Sequence, residues 1–214
     1  MNIKHLVIAA LGLCLGLPLP AQTAKEILDG AALAYKDAKG VEADFTLQML
    51  EAGGVPGESM RGSILLQGSK FKLTVPDETV VWFDGRNEWL YLADANEVNL
   101  SQPDETELLM LNPVNIYLLY QHGYDSRMGT TKTWKGKAVT EVLLSPRDPY
   151  SDLQQIEVRF DKAGLYPVCI RLFNKDRSGS VIDINRYQTG KSWPDHLFMF
   201  QPHDCPGAEI IDLR

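Results

Sequence analysis

The stretch from Val41 to Met49, VEADFTLQM, decides the fold because its polarity alternates with every residue. Its odd-numbered positions are apolar, and its even-numbered positions are polar or charged. A strand with one buried and one solvated face produces this alternation, whereas an amphipathic helix repeats about every 3.6 residues. The stretch therefore predicts a half-buried β-strand that opens a sheet.

Similar short runs follow along the chain, separated by turn residues such as Gly53-Gly54, Gly68-Ser69 and Asp84-Gly85. Glycine and aspartate tolerate the positive φ angles of tight turns, so Asp84-Gly85 indicates a hairpin. About eleven strands result, which predicts a mainly β (α+β) fold, either an antiparallel barrel or a strongly curved sheet. The runs are 41–49, 60–67, 71–75, 79–83, 88–92, 124–133, 138–144, 153–160, 168–173, 181–187 and 197–200.

One helix precedes the sheet, from Thr23 to Lys39. Thr23 and Glu26 have the spacing of a capping box, and Gly40 supplies the stop signal. The helix has a broad apolar face, so we expect it to lie on an apolar surface.

Two segments are more apolar than a simple sheet requires. Residues 79–83 and 88–92 are apolar on both faces, so each face must meet core, a covering element or a ligand. Residues 103–120 predict two short helices, the second beginning at Asn112-Pro113 and apolar nearly all round. These features favour a cavity under a helical lid, although ordinary core packing also accounts for many buried aromatic residues.

The N-terminus has the order of a secretory signal peptide: Lys4, then the apolar run 6–17, then a small residue at Ala21. We expect cleavage after Ala21 and a single mature domain of residues 22–214. Residues 11–14 have some similarity to a lipobox, but bulky Leu13 occupies a position that favours small residues. The net charge of -7 disfavours nucleic acid as a partner.

Chemistry-bearing residues are sparse. The sequence contains no nucleophile elbow, zinc-protease motif or phosphate-binding loop, so we predict no enzyme, no metal and no cofactor. The most reactive cluster is His203-Asp204-Cys205, and neighbours in an extended tail point to opposite sides. Cys169 and Cys205 remain after processing; in an oxidising compartment they form a possible disulfide, or Cys169 is a buried core residue and Cys205 is free.

Five stretches together resemble the LolA family, periplasmic carriers of lipoproteins. They are Ala43-Asp44-Phe45, residues 62–66 with 70–73, residues 84–91, Asn112-Pro113 and residues 198–202. The resemblance implies an unclosed antiparallel β-barrel with an N-terminal helix and a central helical lid over an apolar interior. It also implies a monomer that takes acylated lipoproteins from an inner-membrane releasing complex and delivers them to an outer-membrane acceptor.

The resemblance suggests which side chains line the cavity and the lid. The candidates are Phe45, Leu47, Ile64, Leu66, Phe71, Leu73, Trp82, Trp89 and Tyr91 from the strands, with Leu109, Met110, Ile116 and Leu119 from the lid.

Two other functions stay open on the same scaffold: a sensor that binds lipoprotein or lipid and regulates a partner, and an enzyme acting through His196 or His203. The chain also departs from well-studied carriers, which have an arginine in the second-to-third strand connection that tethers the lid. Here that connection is Gln67-Gly68-Ser69, and Arg61 on the preceding strand is either a substitute or an ordinary exposed arginine.

Overall fold

The computed structural model describes residues 22–103, 115–162 and 165–214. The expected signal peptide and lid positions 104–114, which include Leu109 and Met110, lie outside the described residues. The described part contains one α-helix, α1 (Ala24–Asp37), and thirteen strands. The strands are β1 (Val41–Leu50), β2 (Pro56–Gln67), β3 (Lys70–Val75), β4 (Thr79–Phe83), β5 (Glu88–Leu92), β6 (Glu97–Ser101), β7 (Tyr124–Met128), β8 (Thr133–Trp134), β9 (Lys137–Pro146), β10 (Leu153–Asp161), β11 (Pro167–Asn174), β12 (Gly179–Thr189) and β13 (Glu209–Asp212).

The described part of the chain has thirteen strands, whereas the sequence predicted about eleven. The sequence did not predict β6, β8 or β13, which have five, two and four residues. The predicted strand 197–200 is wrong, because Asp195–Phe198 forms a 3₁₀ helix. Phe198 and Phe200 are both buried and Met199 is exposed, so the alternation is real although no strand pairs with this segment in the described structure.

Twelve of the strands follow one path in the order β13-β6-β5-β4-β3-β2-β1-β12-β11-β10-β9-β7, and β8 pairs with β9 beside it. The sheet is unclosed, with β13 and β7 at its two edges in the described structure. All neighbours are antiparallel except β13 and β6, which pair in parallel. This exception arises because the chain leaves β12 in the middle of the sheet and travels to the far edge before it pairs again.

The N-terminal helix begins as its sequence predicts, but it ends at Asp37 and not at the predicted Lys39, which has a positive φ of 61°. The Thr23 hydroxyl accepts a hydrogen bond from the Glu26 N–H at 3.2 Å, and the Glu26 carboxylate accepts one from the Thr23 N–H at 2.8 Å. At the other end, a Cβ on Gly40 would lie 2.4 Å from the Trp193 ring, so this position admits only glycine without rearrangement. The capping box of Thr23 and Glu26 fixes the start of α1.

Candidate functional site

The inner face of the sheet, which carries Phe45, Ile64 and Phe160, is filled unequally. Over β7, β9 and β10 it is covered by α1 and by a 3₁₀ helix, Asn115–Gln121, here called the central helix. Over β1, β2, β3 and β12 the covering is incomplete and leaves a cavity of about 260 Å³, here called the inner cavity. Its lining consists of Ala43, Phe45, Leu47, Met60, Ile64, Leu66, Leu73, Val75, Thr79, Tyr117, Pro167, Ile170, Ile182, Ile184 and Tyr187.

No charged side chain belongs to this lining. Its two phenols are Tyr117 on the central helix and Tyr187 on β12. Burial raises the pKa of Tyr117 well above its usual range, and burial also raises the pKa of Tyr187. Both phenols are therefore neutral at every physiological pH, and the inner cavity offers a ligand apolar surface without charge.

The exposure of the β1 side chains shows where the inner cavity opens. Ala43, near the end of the sheet that α1 covers, is 2% exposed, whereas Met49 at the other end of the strand is 40% exposed. Leu47 and its inner-face neighbour Met60 lie between them and are half-buried. The inner cavity is thus closed near α1 and opens toward the loops at the opposite end of β1.

The structure brings together five of the side chains proposed from sequence, Phe45, Leu47, Ile64, Leu66 and Leu73, in the cavity wall. The other inner-face candidates lie beside the cavity and not in its wall. Phe71 is fully buried against Phe83, with the ring centroids 5.4 Å apart. Ile116 and Leu119 of the central helix are buried in the filled half of the inner face.

Trp82, Trp89 and Tyr91 lie on the opposite, outer face of the sheet. There Trp82 packs edge-on against Phe200, with the ring centroids 5.5 Å apart and the planes at 70°. We call this group the outer cluster; it comprises Trp82, Val98, Phe200 and Cys205, with Val80, Trp89, Tyr91 and Ala208 packed against it. Strands β4 and β5 are apolar on both faces because the C-terminal segment of the chain covers their outer side.

Comparison with known proteins places this architecture in a family. The family model described as outer membrane lipoprotein carrier protein LolA matches residues 18–174, well over half of the chain. The chain belongs to the LolA family. The match spans α1, the central helix and the cavity-wall strands up to β11, whereas β12 lies beyond it.

Two carrier proteins are similar to this LolA-family chain at low identity. The outer-membrane lipoprotein carrier protein of Shewanella pealeana is 25% identical over 187 residues, which cover 84% of this chain and 82% of that protein. The protein of the same name from Chromohalobacter salexigens is 26% identical over 163 residues, 73% of this chain and 74% of that protein. Among solved structures, an uncharacterized conserved protein from Thermus thermophilus shares the fold with a TM-score of 0.59, at 14% identity and with coverage of 88% of this chain and 98% of that one.

Sequence reasoning did not identify the wall of the inner cavity formed by β11, β12 and the central helix. Ile182 and Ile184 alternate on β12 and face the cavity opposite Leu47 and Phe45. Their period of two was visible in the sequence, but the pairing of β12 with β1 was not, because residues 51–178 separate the two strands. Tyr117 carried no signal that distinguished it from its apolar neighbours in the central helix.

The covering elements are held by polar contacts that differ from the arginine tether of well-studied LolA carriers. The Tyr120 hydroxyl of the central helix donates a hydrogen bond to the Asp29 carboxylate of α1. The Tyr35 hydroxyl of α1 donates to the Gly68 carbonyl in the β2–β3 connection at 3.2 Å. Arg61 is exposed and forms no ion pair with another described residue. In this chain tyrosine hydroxyls join α1 to the central helix and to the sheet.

The remaining reactive candidates do not assemble into a site within the described structure. Cys169 and Cys205 are both free and buried, and burial raises the pKa of the Cys169 thiol to about 12. His203 is 83% exposed, with its Nε2 atom 3.9 Å from the Asp204 carboxylate. Among the described residues no three histidine, cysteine or acidic side chains are grouped as metal ligands.

None of the helices in the described ranges is long and apolar enough to span a membrane.

Proposed function

We propose that this LolA-family chain is a periplasmic carrier that holds lipoprotein acyl chains in the inner cavity and shuttles lipoproteins between the two membranes. It is exported by a signal peptide cleaved after Ala21 and works as a single domain, residues 22–214. It takes its cargo from an inner-membrane releasing complex and delivers it to an outer-membrane acceptor. The uncharged, apolar inner cavity of about 260 Å³ is the observation that carries this proposal.

The energetics of such a cavity suit a hydrocarbon ligand. Burial of an acyl chain stabilises a complex by about 0.8 kcal/mol for each methylene group removed from water. An empty apolar cavity of this kind has no polar groups that must give up water when the chain enters, apart from two tyrosines and Thr79. The wall of the inner cavity therefore favours apolar ligands and does not distinguish one acyl chain from another. This property fits a carrier of varied lipoproteins.

The size of the cavity adds a requirement for movement. Ligand sites usually occupy about 300–1,000 Å³, so the inner cavity, at about 260 Å³, is slightly smaller than that range. Tyr117 forms one side of it, and the central helix that carries Tyr117 fills the adjoining half of the inner face. A cargo with more than one acyl chain must displace the central helix, and the return of that helix opposes binding. Loading and unloading can then be reversible.

The proposal is tested with the mature protein and one pair of neighbouring variants. Native mass spectrometry identifies lipids or acylated protein bound to the purified chain, and inner-membrane vesicles test whether it releases lipoproteins. Leu73→Asp places a charge in the cavity wall and is expected to abolish release. Thr74→Asp places the same charge on the outer face of β3 as the matched control and should preserve release. A folded Leu73→Asp variant that still releases lipoproteins contradicts the proposal.

A further inference from the structure

A second pocket of about 550 Å³ lies between the N-terminal end of α1 and the ends of β7, β9 and β10. It shares no lining residue with the inner cavity. Its lining consists of Gln22, Ile27, Met128, Lys132, Val139, Thr140, Phe160, Asp161, Lys162 and Leu165. It is therefore a separate place on the protein, which the proposed carriage of acyl chains does not use.

Two lysines define the charge of this pocket. Lys132 precedes β8 and Lys162 follows β10, and both side chains are exposed. The ion pairs that lysines form with described residues involve Lys25, Lys70, Lys135 and Lys191, so neither pocket lysine is neutralised in that way. Asp161 contributes the one carboxylate of the lining, against two ammonium groups. The charge of the lining is positive.

The local surroundings increase this positive character. Residues 132–137, with the sequence KTWKGK, contain three lysines and no acid in a protein whose net charge is -7, and of the three only Lys135 forms an ion pair with a described residue, Asp183. The mature chain that the proposed cleavage produces would begin at Gln22, so its α-amino group would also lie at this pocket. The pocket is thus a basic location on an acidic protein, which favours an anionic ligand.

The floor of the pocket adds an apolar element. Ile27, Val139 and Phe160 are almost fully buried, while Met128 and Leu165 are half-buried and offer apolar surface to a ligand. α1 packs closely here, because a Cβ on Gly30 would lie 3.0 Å from the Leu165 side chain. An anion bound between the two lysines would have its adjoining carbon atoms over Met128 and Leu165.

We infer that this pocket binds the phosphate headgroup of an anionic lipid, with the first carbons of the lipid on its apolar floor. The lysines attract the phosphate, and the apolar floor favours a lipid over free phosphate. Such a site lets the protein contact an anionic lipid through residues that do not line the inner cavity.

The test uses the mature protein and three probes in calorimetric titrations at low salt. The probes are a short-chain phosphatidylglycerol below its micelle concentration, the phosphatidylcholine of equal chain length, and inorganic phosphate. We expect the phosphatidylglycerol to bind more tightly than either of the others. Equal binding of inorganic phosphate would show that the site binds a free anion. Equal binding of phosphatidylcholine would show that the site does not distinguish an anionic headgroup from a zwitterionic one. Either result overturns the inference.

Variants then assign the binding to this pocket. Lys132→Gln combined with Lys162→Gln is expected to weaken phosphatidylglycerol binding about tenfold, since each removes one charge-assisted contact at an exposed site. Lys36→Gln combined with Lys39→Gln removes the same charge at the opposite end of α1 and should leave binding unchanged. Methyl NMR signals of Met128 and Leu165 should shift during the titration before those of Leu47 and Leu73. Equal affinity for both double variants, or shifts at Leu47 and Leu73 first, contradicts the assignment.

Discussion

The inner cavity and the outer cluster are built from the same kinds of side chain, yet only one of them has room for a ligand. On the outer face, Phe200 and Cys205 of the C-terminal segment pack in one cluster with Trp82, which is 2% exposed. On the inner face, α1 and the central helix cover one half and stop at Tyr117, leaving about 260 Å³ over the other half. An apolar face becomes a core or a cavity according to whether the chain supplies enough of its own side chains to fill it.

The largest expected effect is on stability, in the outer cluster. Trp82→Ala or Phe200→Ala should reduce the free energy of unfolding by about 3–5 kcal/mol, because each leaves a hole in the outer cluster. Leu73→Ala in the cavity wall should cost clearly less, since space already adjoins its side chain. Urea unfolding of the three variants measures the difference, and equal losses would remove the distinction between core and cavity.

A smaller loss is expected for Trp89→Asp, again in stability. Trp89 is half-buried against the outer cluster, so a carboxylate there should reduce the free energy of unfolding by about 1–3 kcal/mol. Acyl binding by the folded variant should be unchanged, because Trp89 faces away from the inner cavity. Titration with a fluorescent fatty acid checks this, and weakened binding in a fully folded sample would place Trp89 in the ligand site after all.

A substitution in the wall of the inner cavity is expected to change the affinity for acyl chains more than the free energy of unfolding. Leu47→Trp fills space at its open end and should weaken acyl binding about tenfold, equivalent to about 1.4 kcal/mol. Thr46→Trp puts the same bulk on the outer face of β1 and serves as the control. If both variants bind alike, the opening lies elsewhere.

The last expected effect is on a rate and concerns the reactivity of the thiol groups. Burial raises the pKa of Cys205, and burial raises the pKa of Cys169 to about 12, so little thiolate exists at pH 8. We expect both to react with a disulfide reagent about a hundredfold more slowly in the folded protein than in denaturant. A cysteine introduced by Leu47→Cys at the open end of the cavity should react much faster. Rapid native labelling of Cys205 would show that the outer cluster opens.

Sequence patterns predicted local secondary structure better than they predicted which face of a strand lies on the inner side of the sheet. Thr23 and Glu26 determined the start of α1, and the alternation of residues 41–49 identified β1, because both depend on neighbours a few positions away. On β4 and β5, apolar residues on both faces left the inner side undetermined. That depended on Phe200, more than a hundred residues later, which packs on Trp82 from a segment that pairs with no strand in the described structure.

The sequence likewise showed part of the candidate site and omitted the rest. Phe45, Ile64 and Leu73 were found because they alternate on adjacent strands of one meander. Ile182 and Ile184 were not, because β12 joins β1 only through long-range pairing. Local periodicity identifies which residues share a face of one strand, but it does not determine which distant strands share a cavity.

The C-terminal segment also protects a surface that the rest of the sheet leaves uncovered. Phe200, Cys205 and Ala208 pack on the outer face, and beyond them β13 pairs with β6. Without this segment, Trp82 and Val98 would face water and β6 would be an open edge. A chain that lacks it would therefore expose an aggregation-prone surface. A truncation that removes only the last twenty or so residues should therefore cause misassembly, although it leaves the inner cavity's wall intact.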